Sequence, residues 1–94
     1  MTAYLVVTVT CHDLAWVDAY QRDVPALISA YGGRYLCKPG RPEMLEGEGQ
    51  GGEFLAIIEF PSAEAARAML ASEAYRPYAQ ARRKGATTRI QLLR

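Results

Sequence analysis

The segment Tyr31-Gly32-Gly33-Arg34-Tyr35-Leu36 marks the point where a helical pattern ends and a strand pattern begins. Two adjacent glycines can adopt the positive φ angles that end a helix and turn the backbone in a new direction. From Arg34 onward the residues follow an alternating pattern. The junction therefore predicts a helix that leads directly into a strand, and it fixes the register of a compact α+β unit.

Before this junction the sequence predicts one strand and one helix. Residues 3–9 are rich in β-branched and aromatic side chains, which are typical of strands. Asp13 is the predicted N-cap of a helix in which apolar residues recur at helical spacing as far as Tyr31. Because Pro25 lies inside this stretch, we expect a kink or a break near Asp23–Val24.

After the junction a second strand is predicted over residues 34–38, where Pro39-Gly40 would end it. Residues 41–46 are expected to add a short irregular piece at the sheet edge, since Pro42 is unsuited to a central strand. The glycine-rich segment 47–52 is predicted to be a flexible loop.

The rest of the chain predicts a strand, two helical segments and a final strand. Residues 54–60 form the most strand-like segment of the sequence. Ser62 is the predicted N-cap of the next helix, and Ser72 that of a further helix. A last strand is predicted over residues 87–93. The order is βαββαβ, which we interpret as a single domain over residues 1–94.

This order has a consequence for the two faces of the sheet. Right-handed connections place the first and third strands in the centre of an antiparallel sheet and the helices on one face. A solvated opposite face usually alternates apolar and polar residues, yet the third strand is apolar on both sides. We therefore predict a homodimer whose sheets pack face to face across a two-fold axis. The alternative is a monomer with an apolar sheet surface.

Composition excludes several classes of protein. The formal net charge of +1 gives no bulk field for nucleic acid or an anionic membrane. The apolar runs are too short to cross a bilayer, and the first residues lack the pattern of a signal peptide. Cys11 and Cys37 are too few for a disulfide framework and are interpreted as small residues in or near the core. We expect a cytoplasmic protein with reduced thiols.

Six segments occur in a characteristic order and spacing: Tyr31-Gly32-Gly33-Arg34, Leu45-Glu46-Gly47, Ile58-Glu59-Phe60-Pro61-Ser62, Ala65-Ala66, Ser72-Glu73-Ala74-Tyr75, and Arg82 onward. Through them, nearly the whole chain resembles the small bacterial family catalogued as domain of unknown function 1330. The resemblance implies a ferredoxin-like fold assembled as a dimeric α/β barrel. That superfamily includes heme-degrading and cofactor-free quinone-forming monooxygenases, muconolactone-type isomerases and stress-responsive barrel proteins. The family has no assigned reaction, so the resemblance supplies no catalytic residue.

His12 is the only histidine and lies at the predicted end of the first strand, between Cys11 and Asp13. Histidine can act as a general acid or base at neutral pH, and Asp13 is placed to hold one tautomer of the ring. His12 is therefore a candidate catalytic residue. The alternative is a solvated turn residue that precedes the helix.

Arg34 and Glu59 are candidates for a polar pair. If the second and third strands form an antiparallel hairpin in which Leu36 lies opposite Ile57, Arg34 lies opposite Glu59. Opposite charges at such positions stabilise a sheet modestly, by roughly 0.2–1 kcal/mol. On an apolar face the same pair would also suit the polar end of a pocket for a carboxylate or enolate. Both the structural and the catalytic interpretation stay open.

Aromatic and basic residues of the helices complete the candidates. Trp16, Tyr31 and Tyr35, with Tyr20 beside them, are candidates for lining an aromatic ligand cavity, and the alternative is ordinary core packing. The basic end of the last helix is expected to face water and to complement the helix dipole, through Arg76, Arg82, Arg83 and Lys84.

One histidine and two distant cysteines do not give the spacing of metal ligands, so no metal or cofactor is expected.

Two hypotheses for function follow. The first is a cofactor-free protein that binds, and converts, a small apolar or aromatic molecule in a pocket of each subunit. The second is a non-catalytic dimeric module that stores, senses or scaffolds. An enclosed site with a titratable group would favour the first, and a filled core would favour the second.

Overall fold

A four-stranded antiparallel sheet forms one layer of the molecule. In a computed structural model that describes residues 1–49 and 54–94, its strands are β1 (Ala3–Cys11), β2 (Arg34–Tyr35), β3 (Phe54–Phe60) and β4 (Ala86–Leu93). Their order across the sheet is β2-β3-β1-β4, with every pair antiparallel. The predicted central position of the first and third strands is confirmed.

Three helices cover one face of this sheet: α1 (Val17–Ala30), α2 (Ala63–Ala71) and α3 (Arg76–Gly85). Ser62 caps α2 as predicted, because its hydroxyl accepts a hydrogen bond from the backbone N–H of Ala65 at 3.0 Å. None of the helices in the described residues is long and apolar enough to cross a membrane. The element order is that of the predicted ferredoxin-like α+β sandwich.

The end of α1 is built as the sequence predicts. Gly32 adopts a φ of +80°, and its N–H donates to the carbonyl of Ser29 at 2.9 Å. The N–H of Gly33 donates to the carbonyl of Ile28, also at 2.9 Å. These two hydrogen bonds form a Schellman motif. In this motif a residue in the left-handed conformation turns the chain, so that backbone N–H groups after the helix bond to carbonyls of its last turn. Arg34 then enters β2 directly.

The start of α1 differs from the prediction. Asp13 does not cap the helix, which begins at Val17. Its carboxylate accepts a hydrogen bond from the N–H of Ala15 at 2.8 Å, two residues on, and so holds a turn before the helix. Of the kink or break expected near Asp23–Val24, the break is absent, since α1 runs through Pro25 without interruption.

The second strand is shorter than predicted. β2 ends at Tyr35, and one further bond joins the N–H of Leu36 to the carbonyl of Ile57 at 2.9 Å. The chain then leaves the sheet and returns only at Gly40, which pairs with Leu55. The chain up to Gly49 forms no further strand. The predicted glycine-rich loop lies partly outside the described residues.

The core lies between the helices and the sheet. Phe60, Ile28, Met69 and Val24 are its largest fully buried side chains. Of the two cysteines, Cys11 is half-buried near this layer, whereas Cys37 is exposed, which corrects the near-core interpretation. Gly33 is buried against the same layer, because a Cβ there would lie 2.6 Å from Cε1 of Phe60 and 2.8 Å from Cγ2 of Ile28. The glycine therefore fixes how closely α1 approaches β3.

We expect Gly33→Ala to lower the free energy of unfolding by about 1–3 kcal/mol, because the new methyl group would displace two core side chains. Urea denaturation followed by circular dichroism measures the change. Gly40→Ala is the matched control, since its nearest neighbouring atom would be 3.9 Å away. Equal stability of the two variants would contradict this account of the junction.

Candidate functional site

The structure places His12 at the exposed end of β1, against the start of β4. Its Nε2 lies 2.8 Å from the hydroxyl oxygen of Thr87. Its backbone N–H donates to the carbonyl of Gly85 at 2.7 Å, and the N–H of Asp13 donates to the same oxygen at 2.9 Å. The Asp13 carboxylate, which was expected to hold the ring of His12, instead accepts a hydrogen bond from the backbone N–H of Ala15. The side chain that contacts the ring of His12 is that of Thr87.

Arg34 and Glu59 form the predicted cross-strand pair. They are partners in the β2–β3 register, and Nε of Arg34 lies 3.0 Å from Oε1 of Glu59. The Arg34 side chain is 70% exposed, so the pair is well solvated. Exposed ion pairs of this kind contribute on the order of 0–1 kcal/mol to stability.

These candidates lie at opposite ends of the sheet. Glu59 pairs with Tyr4 at the start of β1, whereas His12 follows the last residue of that strand. At roughly 3.3 Å per residue, the eight residue-to-residue steps from Tyr4 to His12 span about 26 Å. His12 and the Arg34–Glu59 pair therefore do not share one site.

The predicted aromatic residues divide into two groups. Trp16 and Tyr20 meet edge to face with ring centroids 5.3 Å apart. Tyr20 in turn meets Tyr75, and their hydroxyl oxygens are 2.5 Å apart. Tyr31 and Tyr35 are partly buried against the hydrophobic core. The sequence did not indicate Tyr75 as the partner that links α1 to the start of α3.

The phenols of Tyr20 and Tyr35 stay protonated at neutral pH. Burial, followed by the proximity of Tyr75, raises the pKa of Tyr20 far above its usual value, although the charge of Arg82 acts in the opposite direction. Burial, and then Tyr75, also raises the pKa of Tyr35. These groups can exchange hydrogen bonds, but they supply no negative charge.

Arg82 is a functional candidate that the sequence analysis missed. We expected it to face water at the basic end of α3, but it is only 5% exposed. It belongs to the buried stripe Ala79, Arg82 and Gly85, whereas Arg83 and Lys84 are exposed. The sequence did carry a signal for the burial of Arg82: it lies three residues after Ala79 and three before Gly85, and residues at this spacing share one face of a helix.

Three buried side-chain polar atoms have no hydrogen-bond partner among the described residues: Nε1 of Trp16, Nε of Arg82 and Oγ1 of Thr88. The indole of Trp16 packs on Gly85, where a Cβ would lie 2.8 Å from Nε1. Arg82 precedes Gly85 by three residues, and Thr88 follows it by three.

An open depression of about 280 Å³ adjoins Trp16. It is lined by Asp13, Ala15, Trp16, Ala81, Lys84 and Gly85. A second depression, of about 330 Å³, lies at the other end of the molecule between the two chain termini and the start of α2. It is larger, but it contacts none of the candidate residues and none of the unpartnered polar atoms, so we place the site at Trp16.

The outer face of the sheet is apolar in the centre and polar at the rim. Register brings Val6 opposite Ile57 and Thr8 opposite Leu55 on the face away from the helices. The Arg34–Glu59 pair lies at one side of this centre, and Arg89 of β4, opposite Thr8, at the other side. This arrangement resembles the apolar core and polar rim of protein interfaces.

Metal ligands do not cluster in the part of the chain that the structure describes. No three His, Cys, Asp or Glu side chains lie close enough together there to hold a metal ion.

Solved structures share this fold at low sequence identity. The RPA0582 protein of unknown function from Rhodopseudomonas palustris has a TM-score of 0.75 at 21% identity, covering 98% of this chain and 80% of that one. SnoaB, a cofactor-independent oxygenase from Streptomyces nogalater, has a TM-score of 0.69 at 17% identity, covering 99% and 91%. A Bacteroides thetaiotaomicron protein described as a possible oxidoreductase has a TM-score of 0.67 at 14% identity, covering 98% and 95%.

No curated protein matches the chain in sequence. These neighbours share the fold of this chain, so the predicted ferredoxin-like α+β architecture of the single chain is confirmed. The sequence profile described as "Domain of unknown function (DUF1330)" matches residues 2–94. This match covers nearly the whole chain, and the protein therefore belongs to the DUF1330 family.

Proposed function

We propose that this protein binds a small aromatic molecule in the depression beside Trp16. The observation that carries the proposal is the indole N–H of Trp16, which is buried and unpartnered at the edge of an open depression. Leaving a buried donor without an acceptor costs about 1–3 kcal/mol. A ligand that brings an acceptor atom against Nε1 would recover that free energy, and its ring would pack on the indole.

The proposal has an enzymatic form, in which the bound molecule is converted without a cofactor. SnoaB, which shares the fold, is described as a cofactor-independent oxygenase, but a shared fold does not transfer a reaction. Tyr20 supports this form, because its phenol is buried beside Trp16 and is hydrogen-bonded to Tyr75. His12 and the Arg34–Glu59 pair remain candidates for proton transfer at sites of their own.

A second proposal concerns assembly, and the outer sheet face supports it. Val6, Ile57 and Leu55 form an apolar centre with a polar rim, which fits a second copy of the same sheet. Under this proposal the chain is a homodimer. If Trp16 binds no ligand, the dimer itself would be the functional form, as a non-catalytic sensing or scaffolding module.

Titration with benzamide tests the ligand proposal, because benzamide is a neutral aromatic ring that carries a carbonyl acceptor. Trp16 is the only tryptophan, so its fluorescence reports directly on the site. We expect a saturable change with a Kd on the order of 1 mM, as the size of the ligand allows.

Calorimetric titration compares the variants, since Trp16→Phe removes the fluorophore. This substitution keeps a ring but removes the N–H, and we expect it to weaken benzamide binding by about tenfold. Leu14→Ala is the control, at an exposed side chain two residues away. A lack of saturable binding by benzamide and by its acid, benzoate, would refute the ligand proposal.

Light scattering tests the dimer. We expect twice the chain mass of 10.4 kDa at micromolar concentration. Ile57→Glu should give the monomer mass with an unchanged circular dichroism spectrum, because it places a charge in the centre of the apolar face. Ala68→Glu adds the same charge at an exposed position of α2 and should leave the dimer intact. A monomeric wild-type protein would exclude this assembly.

A further inference from the structure

Two charged side chains of opposite sign line the depression beside Trp16. Asp13 lies in the turn that precedes α1, and Lys84 lies in the last turn of α3. Neither of them belongs to an ion pair within residues 1–49 and 54–94. The charge that a ligand carries is therefore decided by how each of these two groups is already used.

The carboxylate of Asp13 already serves the protein as an acceptor. Its Oδ1 accepts a hydrogen bond from the backbone N–H of Ala15 at 2.8 Å. A second acceptor from a lining residue, the carbonyl of Gly85, is also occupied, because the backbone N–H groups of His12 and Asp13 donate to it at 2.7 and 2.9 Å. These two acceptors hold the turn between β1 and α1.

Two donors of the lining are unused. Nε1 of Trp16 is buried without a partner and lies against Gly85, where a Cβ would be 2.8 Å from it. The ammonium of Lys84 has no hydrogen-bond or ion-pair partner in the part of the chain that the structure describes. An indole N–H and an ammonium can only donate. The lining therefore favours a ligand with acceptor atoms, and one of the two donors is a cation.

The end of α3 is positively charged. Its last turn carries Arg82, Arg83 and Lys84, and the helix contains no acidic residue. Of these three residues only Lys84 lines the depression. A free cation in the lining, beside a carboxylate that is already hydrogen-bonded, favours a negatively charged ligand.

The wall of the depression that α3 provides is made of small residues on either side of Lys84. Ala81 and Gly85 are four residues apart, so they lie on one face of the helix, and Lys84 lies next to them on the same side. Trp16 lies against this wall at Gly85. A flat ring that packs on the indole would therefore lie beside Ala81 and within reach of the flexible side chain of Lys84.

We propose that Lys84 selects a small aromatic acid, whose carboxylate pairs with the Lys84 ammonium while its ring packs on Trp16. This inference rests on the proposed ligand site and narrows it to one chemical class. The indole N–H donates to the same carboxylate, which has several acceptor positions on two oxygens. Because Lys84 is exposed, the preference for the acid is modest and depends on salt. Asp13 acts in the opposite direction and limits it.

Benzoate and benzamide test the inference, because they have nearly the same shape and differ in charge. At low ionic strength we expect benzoate to bind the wild-type protein at least about threefold more tightly than benzamide, measured by Trp16 fluorescence. Lys84→Met should remove this preference by weakening benzoate alone. Asp13→Asn keeps a side-chain oxygen for the N–H of Ala15 but removes the negative charge, so it should increase the preference for benzoate.

Arg83→Met is the matched control. It removes the same charge from the residue next to Lys84, which is exposed and does not line the depression, and it should leave the preference for benzoate unchanged. If it reduces the preference as much as Lys84→Met does, the general charge of α3 attracts the anion and the role of Lys84 is refuted. If the wild-type protein binds benzamide as tightly as benzoate, the ligand site stands and this inference is wrong.

Salt provides a second readout, which a change in packing would not reproduce. Raising the NaCl concentration from about 20 to about 300 mM should weaken benzoate binding to the wild-type protein and leave benzamide binding unchanged. Lys84→Met should remove this salt dependence, and its persistence in the variant would overturn the inference.

A bulky substitution in the wall tests where the two ligands bind. Ala81→Leu adds volume at an exposed position of α3 that lines the depression, and it should weaken benzoate and benzamide alike. Unchanged Kd values for both ligands would place their site elsewhere on the molecule. In that case the proposed ligand site would be refuted together with the role of Lys84.

Discussion

Gly33 has no side chain, and the position that a Cβ would occupy is already filled by Phe60 and Ile28. This close contact brings the end of α1 onto β3 and starts β2 in a single register. This register pairs Arg34 with Glu59. It also sets the alternation of β3, in which Ile58 and Phe60 face the helices. A larger residue at this position would separate the two layers where their packing is tightest.

Gly85 has the corresponding role at the second helix-to-strand junction. Its carbonyl accepts hydrogen bonds from the backbone of His12 and Asp13, so it ties the end of β1 to the start of β4. Because it lacks a Cβ, the indole of Trp16 can lie directly against it. Arg82, one turn earlier in α3, is also buried.

The sequence was sufficient to predict the features that depend on local rules. The pair Gly32-Gly33 has the pattern of a Schellman closure, Ser62 that of an N-cap, and residues 54–60 that of a strand, and the structure contains all three. The Arg34–Glu59 pair followed from a conditional prediction: if Leu36 lies opposite Ile57, the ladder also sets Arg34 opposite Glu59, and the structure has this register.

Other features depend on tertiary contacts and were predicted wrongly. Asp13 has the residue type of a helix cap, but the same carboxylate also stabilises a turn, and residue type does not distinguish the two. The helix dipole favours any cation near the end of α3. It therefore explains Arg82 and Arg83 equally well and does not indicate that the first is buried and the second exposed. Only the tertiary packing of α3, which buries Arg82 near Tyr20 of α1, distinguishes the two arginines.

The two edges of the sheet are unequal. β2 is two residues long and departs into an irregular segment, so it offers little backbone to which another strand can add. β4 is eight residues long and forms the opposite edge. Strand-by-strand aggregation, or addition of an extended peptide, is therefore expected to begin at β4. The charge of Arg89 on that strand discourages such pairing, so the edge with the most accessible backbone also carries a charged side chain.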